Sequence, residues 1–279
     1  MFYKCLKYDL KCGLLKEYKK YIVAIGLFII IGFDFFIKMS DIKITVFDYL
    51  FYLFFGMEEY VPSPGNKFRF PALWVMVILY ISYITLYYPY KDLNGYGKNI
   101  LLNTKSKKTW YLSKCLWVSI STIFYFVIGF VVLSLFAIIS GAEMSANVSS
   151  NVVIKFIPFI TTKQNLFFNN AIYYKVSVSH FVLPVIICIM NNLFQLFLSL
   201  FVKPFFSFIF TVSYTIASTY YLERFMLGNY AMIARSDIFI DNGVNFTDGF
   251  IISLSAVFII TILGTTLFSK QDILNKEGA

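Results

Sequence analysis

The chain has 279 residues, of which 59% are hydrophobic and only 14% are charged, and its mean hydropathy is +0.72. Soluble domains carry about 25% charged residues, so this composition excludes an ordinary soluble protein and predicts a membrane protein. The formal net charge is +9, from 24 Lys and Arg against 15 Asp and Glu. What this charge means depends on where the lysines fall along the chain.

The chain begins with a basic, amphipathic segment, residues 1–20. Six lysines alternate there with apolar residues at helical spacing, namely Phe2, Leu6, Leu10, Leu14 and Leu15. This pattern predicts a helix that lies in the membrane interface. We do not expect a cleaved signal peptide, because the apolar run that follows is long and no small-residue cleavage site accompanies it.

Six apolar runs follow, each close to the length of about 20 residues that a helix needs to cross the hydrocarbon. They are residues 21–38, 71–88, 115–140, 181–202, 204–221 and 250–268. Backbone exposed to lipid must satisfy its own hydrogen bonds, and the alternating pattern of a membrane barrel is absent, so we expect helices. The predicted fold class is all-α, a polytopic membrane protein whose single transmembrane domain covers residues 1–279.

The positions of the basic residues predict the orientation of the chain. Fifteen of the 24 basic residues lie in residues 1–20, in the loop of residues 89–114, at Lys203 or in the C-terminal tail. Six spans would place these four segments on the same side of the membrane. Short loops rich in Lys and Arg stay in the cytoplasm, so both termini are predicted to be cytoplasmic. Because topology accounts for the positive charge, nucleic acid is not an expected partner.

The sequence shows no pattern for nucleotide, metal or catalytic chemistry. Gly97-Lys98 is followed by Asn99, whereas a phosphate-binding loop requires Ser or Thr. The only histidine, His180, has no pattern of cysteines or acids around it. We therefore expect no catalytic residue, metal site or cofactor in this chain and predict that it is not an enzyme by itself.

One acid falls within a predicted span. Asp34 lies four residues before Lys38, near the end of the first run. An ionisable residue in a membrane is a functional hypothesis by default, but a lysine one turn away can also pair with it. Local pairing and a transport role both remain open.

The fourth span carries amides near its midpoint, at Asn191, Asn192 and Gln195, and Ser199 lies one turn further on. Polar side chains at this depth should face protein or a water-filled path. We mark these four residues as candidates for lining a translocation path. Hydrogen bonding between helices is the alternative.

Three passages together resemble a known family. They are NILLNTKSKKTWYLSK in the second loop, NNLFQLFLSLFVKPFFSFIF across the fourth and fifth spans, and LGNYAMIARSDIFIDNGVNF before the last span. With an amphipathic start and six spans, the chain resembles the permease subunit of type-2 ABC exporters, in the small form found in low-GC Gram-positive bacteria. The resemblance covers essentially the whole chain.

The resemblance implies a contact with an ATPase. In that family the loop between the second and third spans holds a short coupling helix that docks on the ATPase, and residues 92–104 would be this helix. The residues so implied are Asn94, Lys98, Ile100, Leu101, Leu102 and Lys105. The alternative is an ordinary basic cytoplasmic loop.

The resemblance also implies a re-entrant helical hairpin on the outer side, before the last span. Residues 222–249 would form it, with Glu223, Arg235 and Asp237 as its charged residues and with Arg235 paired to an acid. A solvated loop is the alternative. The other long outer segments, residues 39–70 and 141–180, are expected to contain short helices, because structureless loops of this length are uncommon.

The expected function is that of a permease subunit of an ATP-driven exporter in the cell membrane of a bacterium. Its expected partners are separate ABC ATPase subunits that bind ATP and Mg, a second permease copy or a paralogue, and membrane lipids. The cargo would be amphipathic or lipophilic, for example an antimicrobial peptide or a drug. The alternatives are an ATP-independent channel or carrier and a membrane-embedded lipid-modifying enzyme.

Overall fold

The fold is given by a computed structural model that describes residues 2–63, 67–95, 97–98, 101, 106–156, 176, 178–240 and 242–271. Within these ranges the regular structure is helical, and the only β-type pairings are two isolated bridges. This confirms the all-α class.

The described residues form ten α-helices. They are α1 (Phe2–Asp9), α2 (Tyr18–Lys38), α3 (Val46–Phe55), α4 (Ala72–Leu86), α5 (Tyr88–Leu93), α6 (Lys107–Ile139), α7 (Ser150–Phe156), α8 (Ser179–Leu198), α9 (Pro204–Tyr220) and α10 (Phe246–Lys270). A π-helix (Leu10–Leu15) follows α1, and two 3₁₀ helices (Leu227–Ala231 and Ile233–Arg235) lie between α9 and α10.

Five helices are long and apolar enough to cross a membrane: α2, α4 together with α5, α6, α8 and α10. The fifth predicted span corresponds to α9, which has 17 residues and is about 25 Å long at 1.5 Å per residue. This is shorter than the hydrocarbon thickness of about 30 Å. The chain is thus a polytopic membrane protein, and its described part contains five helices of spanning length and the shorter α9.

Local signals in the sequence explain where several helices begin. Helix α6 starts eight residues before the predicted span because Ser106 caps it, its Oγ accepting a hydrogen bond from the Thr109 backbone N–H at 3.4 Å. Asn245 caps α10 in the same way through the Thr247 N–H at 2.8 Å. Pro204 opens α9 at the first helical position, where its missing N–H removes no helical bond.

Helix α8 is the centre of the bundle, because it packs against α4, α6, α9 and α10. Helix α2 also packs against α6, and glycines allow this close approach. A Cβ at Gly129 of α6 would lie 2.5 Å from the Phe28 ring of α2, so only glycine fits there without a shift.

The connections gather at two ends of the bundle. At one end, which we call the basic end, Lys107 Nζ donates to the Gln271 carbonyl at 2.5 Å and Gln271 Nε2 donates to the Leu200 carbonyl at 3.3 Å. The starts of α6 and α9 and the end of α10 therefore lie together. The distribution of basic residues predicted the same grouping. At the opposite end, Thr45 Oγ1 donates to the Asn147 carbonyl at 2.8 Å, which joins the segments before α3 and α7.

The long segments at the opposite end contain the short helices that their length predicted. Residues 39–70 contain α3, which begins with a capping box formed by Thr45 and Asp48. Residues 141–180 contain α7, although much of this segment lies outside the described residues. Between α9 and α10 the helices are 3₁₀ in type, so this part differs from the predicted pair of hairpin helices.

Candidate functional site

A buried cluster of charges lies at the basic end. The Lys114 side chain is 1% exposed; its Nζ contacts a carboxylate oxygen of Asp9 and lies 2.6 Å from Asp92 Oδ2. Asp9 and Asp92 are themselves 2% and 7% exposed. We call these three residues the charge cluster.

Neighbouring donors complete the hydrogen bonding of both carboxylates. Tyr88 donates its hydroxyl to Asp9 Oδ1 at 2.9 Å, and the Ser113 hydroxyl donates to Asp9 Oδ2. The Trp110 indole N–H donates to Asp92 Oδ2 at 3.1 Å. These bonds meet the requirement that a buried charge be both paired and hydrogen-bonded.

Two aromatic rings enclose the ammonium group. Lys114 Nζ lies 4.7 Å from the ring centre of Tyr88 and 4.9 Å from that of Trp110, both within the range of cation–π attraction. The pairing, the hydrogen bonds and the two ring contacts all act against the cost of removing this charge from water.

The charge cluster joins three separate segments of the chain. Asp9 ends α1, Asp92 is in the last turn of α5, and Lys114 is in the second turn of α6. Gly13 of the π-helix permits the close approach of the N-terminal segment, because a Cβ there would lie 2.5 Å from Trp117 Nε1. The amphipathic segment is therefore packed against α6 through one face.

Part of the predicted coupling segment adjoins this cluster. Asn94 is exposed and follows α5, and Lys98 is half-buried with its backbone N–H bonded to the Gly95 carbonyl at 3.2 Å. Leu101 is 7% exposed and lies in the protein's own apolar cluster with Tyr88 and other residues. Leu101 is thus packed against this chain's own residues, and its role in docking on an ATPase stays a prediction. Three further predicted contact residues lie outside the described residues, namely Ile100, Leu102 and Lys105.

The amide groups at mid-helix bond to neighbouring helices. Asn192 accepts a hydrogen bond from Ser82 Oγ of α4 at 2.9 Å and donates Nδ2 to Thr122 Oγ1 of α6 at 3.0 Å. It is 1% exposed. A single side chain thus connects three helices.

Gln195 and Asn191 connect α8 to α4 and α9. Gln195 Nε2 donates to the Ser82 carbonyl at 3.0 Å, and its Oε1 accepts from Thr211 Oγ1 at 3.2 Å. Asn191 Nδ2 donates to Thr215 Oγ1 at 3.4 Å. These contacts favour the packing alternative over path lining for the three amides.

Ser199 is separate from this amide network. It follows the last residue of α8, is half-buried, and donates its hydroxyl to the Leu196 carbonyl at 2.6 Å. This bond lies within one helix turn, so Ser199 joins no other helix through it.

Arg235 is fully buried at the opposite end, and its guanidinium is surrounded by neutral oxygen atoms. It donates to the Asn229 side-chain oxygen and to five backbone carbonyls, those of Met57, Glu58, Ser218, Thr219 and Tyr221. Burial lowers the pKa of Arg235 to about 10, so the group keeps its charge at neutral pH.

The prediction that Arg235 pairs with an acid is wrong for the described residues. Glu223 is exposed, and Asp237 is exposed with its carboxylate bonded to Asn245 Nδ2 at 2.8 Å. Three of the carbonyls around Arg235 belong to the C-terminal end of α9, which carries partial negative charge. The partial negative charge at the C-terminal end of α9 therefore stabilises the guanidinium in place of the predicted acid.

Asn229 completes the contacts around Arg235. Its Nδ2 donates to the carbonyls of Tyr221 and Glu223 at 2.9 and 3.0 Å. The adjacent backbone is held by Trp74, whose indole N–H donates to the Ala231 carbonyl at 3.1 Å. Residues 228–236 are all buried, so this segment is part of the core and the predicted alternative of a solvated loop does not hold for it.

Asp34 pairs locally. Lys38 Nζ lies 2.7 Å from Asp34 Oδ2, and the Tyr52 hydroxyl contacts the same oxygen. The Lys38 and Asp34 side chains are 48% and 35% exposed. Of the two alternatives for Asp34, the contacts favour local pairing at the end of the span.

No group of three or more His, Cys, Asp or Glu residues in the described part of the chain is arranged to hold a metal ion. The His180 ring packs against Phe246, with ring centres 5.1 Å apart.

Sequence reasoning missed the charge cluster because Lys114 was counted only as part of the basic loop. A signal was nevertheless present. Asp9 is the only acid among residues 1–16, and it is placed one helical turn after Cys5 on the face that is buried. An isolated acid on the buried face of a basic helix predicts a cationic partner, but not which one.

The fold and these buried polar contacts define a polytopic α-helical membrane protein. The chain belongs to the family described as Protein of unknown function (DUF2705), whose model matches residues 27–274. Neither a curated protein nor a solved structure matches the chain.

Proposed function

We propose that this protein is the transmembrane permease subunit of an ATP-driven ABC exporter. It works with a second permease copy or a paralogue and with separate ATPase subunits that bind ATP and Mg. The observation that supports this most is the charge cluster, because it fixes the segment beside the predicted coupling helix to the longest helix of the bundle.

A partner that pushes on a loop can move a membrane helix only if the connection between them is stiff. Asp92 lies at the beginning of residues 92–104, and Lys114 binds it from within α6. Helix α6 has 33 residues and is about 50 Å long, so it reaches from the basic end to the opposite end, where it packs against α3. Displacement of the loop would thus be transmitted across the whole membrane.

The proposed orientation places the basic end and both termini in the cytoplasm of a bacterial cell. The ATPase would bind there, and its closure on ATP would shift the cavity of a permease pair from inward to outward access. The lipid-facing surface is apolar and rich in aromatic residues, which suits an amphipathic or lipophilic cargo.

The experiment is affinity purification of the tagged protein from its native host in mild detergent. We expect an ABC ATPase to copurify, and we expect Leu102→Asp within residues 92–104 to reduce its recovery about tenfold or more, since a charge would enter an apolar contact. Met144→Asp is the matched control, because Met144 is 79% exposed at the opposite end. Its recovery of the ATPase should equal that of the wild type.

Two results would contradict the proposal. One is that no ATPase accompanies the protein under conditions that preserve its oligomers. The other is that Leu102→Asp retains full recovery of the ATPase together with full ATP hydrolysis by the complex, which would exclude this loop as the contact.

A further inference from the structure

An apolar groove of about 570 Å³ opens on the surface between α2 and α4, with Phe208 of α9 at one side. Gly26 forms part of its floor, and a Cβ at Gly26 would meet no other atom within 4 Å. Val23 of α2 and Met76 of α4 stand at the rims and are 57% and 53% exposed. Because these helices cross the membrane, the groove must be filled by hydrocarbon or by another protein.

Cationic side chains lie at one end of the groove. Lys20 Nζ is 5.8 Å from the ring centre of Tyr83, which lines the groove. Lys20 also contacts Glu17, so its own charge is largely balanced. Lys19 is exposed and lies four residues before Val23, on the same face of α2 as this lining residue of the groove. An exposed positive charge therefore stands on this face, at the end of the groove near Lys20.

We propose that this groove is a binding site for an anionic phospholipid, with one acyl chain against Gly26 and the phosphate at Lys19. An acyl chain fills an apolar channel of this kind, and each lysine near the membrane surface attracts anionic lipid by an amount that corresponds to about fivefold in affinity. The inference does not depend on the proposed transport function.

A helix from a second copy fits the groove less well. Close packing of helices in membranes uses small residues spaced four apart, whereas Gly26 is flanked at that spacing by Ile22 and Ile30. The next glycine on α2, Gly32, is already packed against Phe136, at 3.1 Å from the Cβ position to the ring. Charge at one end of the groove also matches a phosphate and has no counterpart on an apolar helix.

The test uses the full-length protein, purified in detergent and depleted of lipid. Its thermal stability is measured during titration with phosphatidylglycerol, with phosphatidylcholine of the same acyl chains, and with glycerophosphoglycerol, which has no acyl chains. We expect phosphatidylglycerol to raise the melting temperature at the lowest concentration, phosphatidylcholine to bind several-fold more weakly, and the chainless compound to have no effect.

Variants assign the effect to the groove. Gly26→Phe fills the open space and should weaken phosphatidylglycerol binding at least tenfold, while Lys19→Gln should weaken it about fivefold. Ile37→Phe is the matched control, because Ile37 is 70% exposed on the same helix away from the groove. If Gly26→Phe does not fold, Val23→Trp at the rim serves in its place.

The proposal is overturned if phosphatidylglycerol and phosphatidylcholine bind equally, if the chainless compound stabilises as well as the lipid, or if Gly26→Phe and Val23→Trp leave the apparent Kd unchanged. Conversion of a dimer to a monomer by Gly26→Phe, with lipid affinity unchanged, would instead assign the groove to contact between copies of the chain.

Discussion

At the scale of single residues, Lys114 and Arg235 are two buried cations that are stabilised in different ways. Lys114 is balanced by two carboxylates, whereas Arg235 is held by carbonyl and amide oxygens. An ammonium has three donors and suits a pair of point charges. A guanidinium has five donors in a fixed fork and can satisfy several carbonyls at once, so each residue matches the acceptors around it.

Removal of Lys114 should be strongly destabilising. Lys114→Met would leave Asp9 and Asp92 buried without a cation, and breaking a buried pair in this way costs about 3–5 kcal/mol. The thermal stability of the purified protein measures this loss. Lys108→Met is the matched control, since Lys108 is exposed on the first turn of the same helix, and it should be nearly neutral. A triple variant that also carries Asp9→Asn and Asp92→Asn should recover much of the loss, and a failure to recover would argue against the pairing.

Arg235→Lys should be destabilising although it keeps the charge. Lysine has three donors and arginine has five, so the substitution leaves buried carbonyls without a donor, at a cost of about 1–3 kcal/mol each. We therefore expect the free energy of unfolding to fall by at least about 2 kcal/mol. The melting temperature of this variant is compared with that of Arg224→Lys, because Arg224 is exposed in the same segment. Equal melting temperatures for the two variants would show that the hydrogen bonds from Arg235 to the surrounding oxygen atoms contribute little to stability.

At the scale of elements, helix α8 is the one around which the others are arranged. Its amides reach α4, α6 and α9 through Ser82, Thr122 and Thr211. Water does not compete for these groups at this depth, so hydrogen bonds select the helix neighbours and fix their rotation. Apolar side chains alone would leave that rotation weakly specified, because lipid tails are as apolar as the core.

The double variant Asn191→Leu with Gln195→Leu tests the packing interpretation. Hydrogen bonds between membrane helices average about 0.6 kcal/mol, and Thr211 and Thr215 retain bonds to carbonyls of their own helix. We therefore expect a moderate loss of about 1–2 kcal/mol, seen as a lower melting temperature. Ser199→Ala at the end of α8 is the control and should change stability little.

A second measurement separates packing from path lining. Single cysteines at positions 191 and 195, in a background without other cysteines, should resist a water-soluble thiol reagent if both side chains are packed between helices. Rapid labelling at both positions, with the melting temperature of the double leucine variant unchanged, would favour a water-filled path.

At the scale of the whole molecule, the basic residues and the contacts agree on how the loops group. The N-terminal segment, α5 and the start of α6 meet through the charge cluster, and the end of α10 joins them through Lys107. These are the segments that the positive-inside rule places together. The contacts group the loops, whereas the rule alone supplies the direction across the membrane.

Cysteine labelling in intact cells tests that direction. Met144→Cys and Tyr3→Cys are introduced singly after replacement of Cys5, Cys12, Cys115 and Cys188, and both sites are well exposed, at 79% and 73%. An impermeant thiol reagent should label Met144→Cys in intact cells and should label Tyr3→Cys only after the membrane is permeabilised. The reverse pattern would invert the proposed orientation.

The sequence by itself determined the class of protein, the approximate positions of the long apolar helices and the amphipathic start. These follow from hydropathy and helical period, which depend only on neighbours along the chain. Helix ends were set more finely by caps such as Ser106, and there the predicted boundary of the third span was late by eight residues.

Only the tertiary structure decided which buried polar groups meet. Asp9 and Lys114 are 105 residues apart in the chain, and Arg235 bonds to the Met57 carbonyl across 178 residues. A polar residue in an apolar run indicates that a hydrogen-bonding or charged partner is required, because leaving the residue unpaired away from water costs several kcal/mol. Periodicity gives the face and depth of such a residue but not its neighbour, which is fixed when the helices pack.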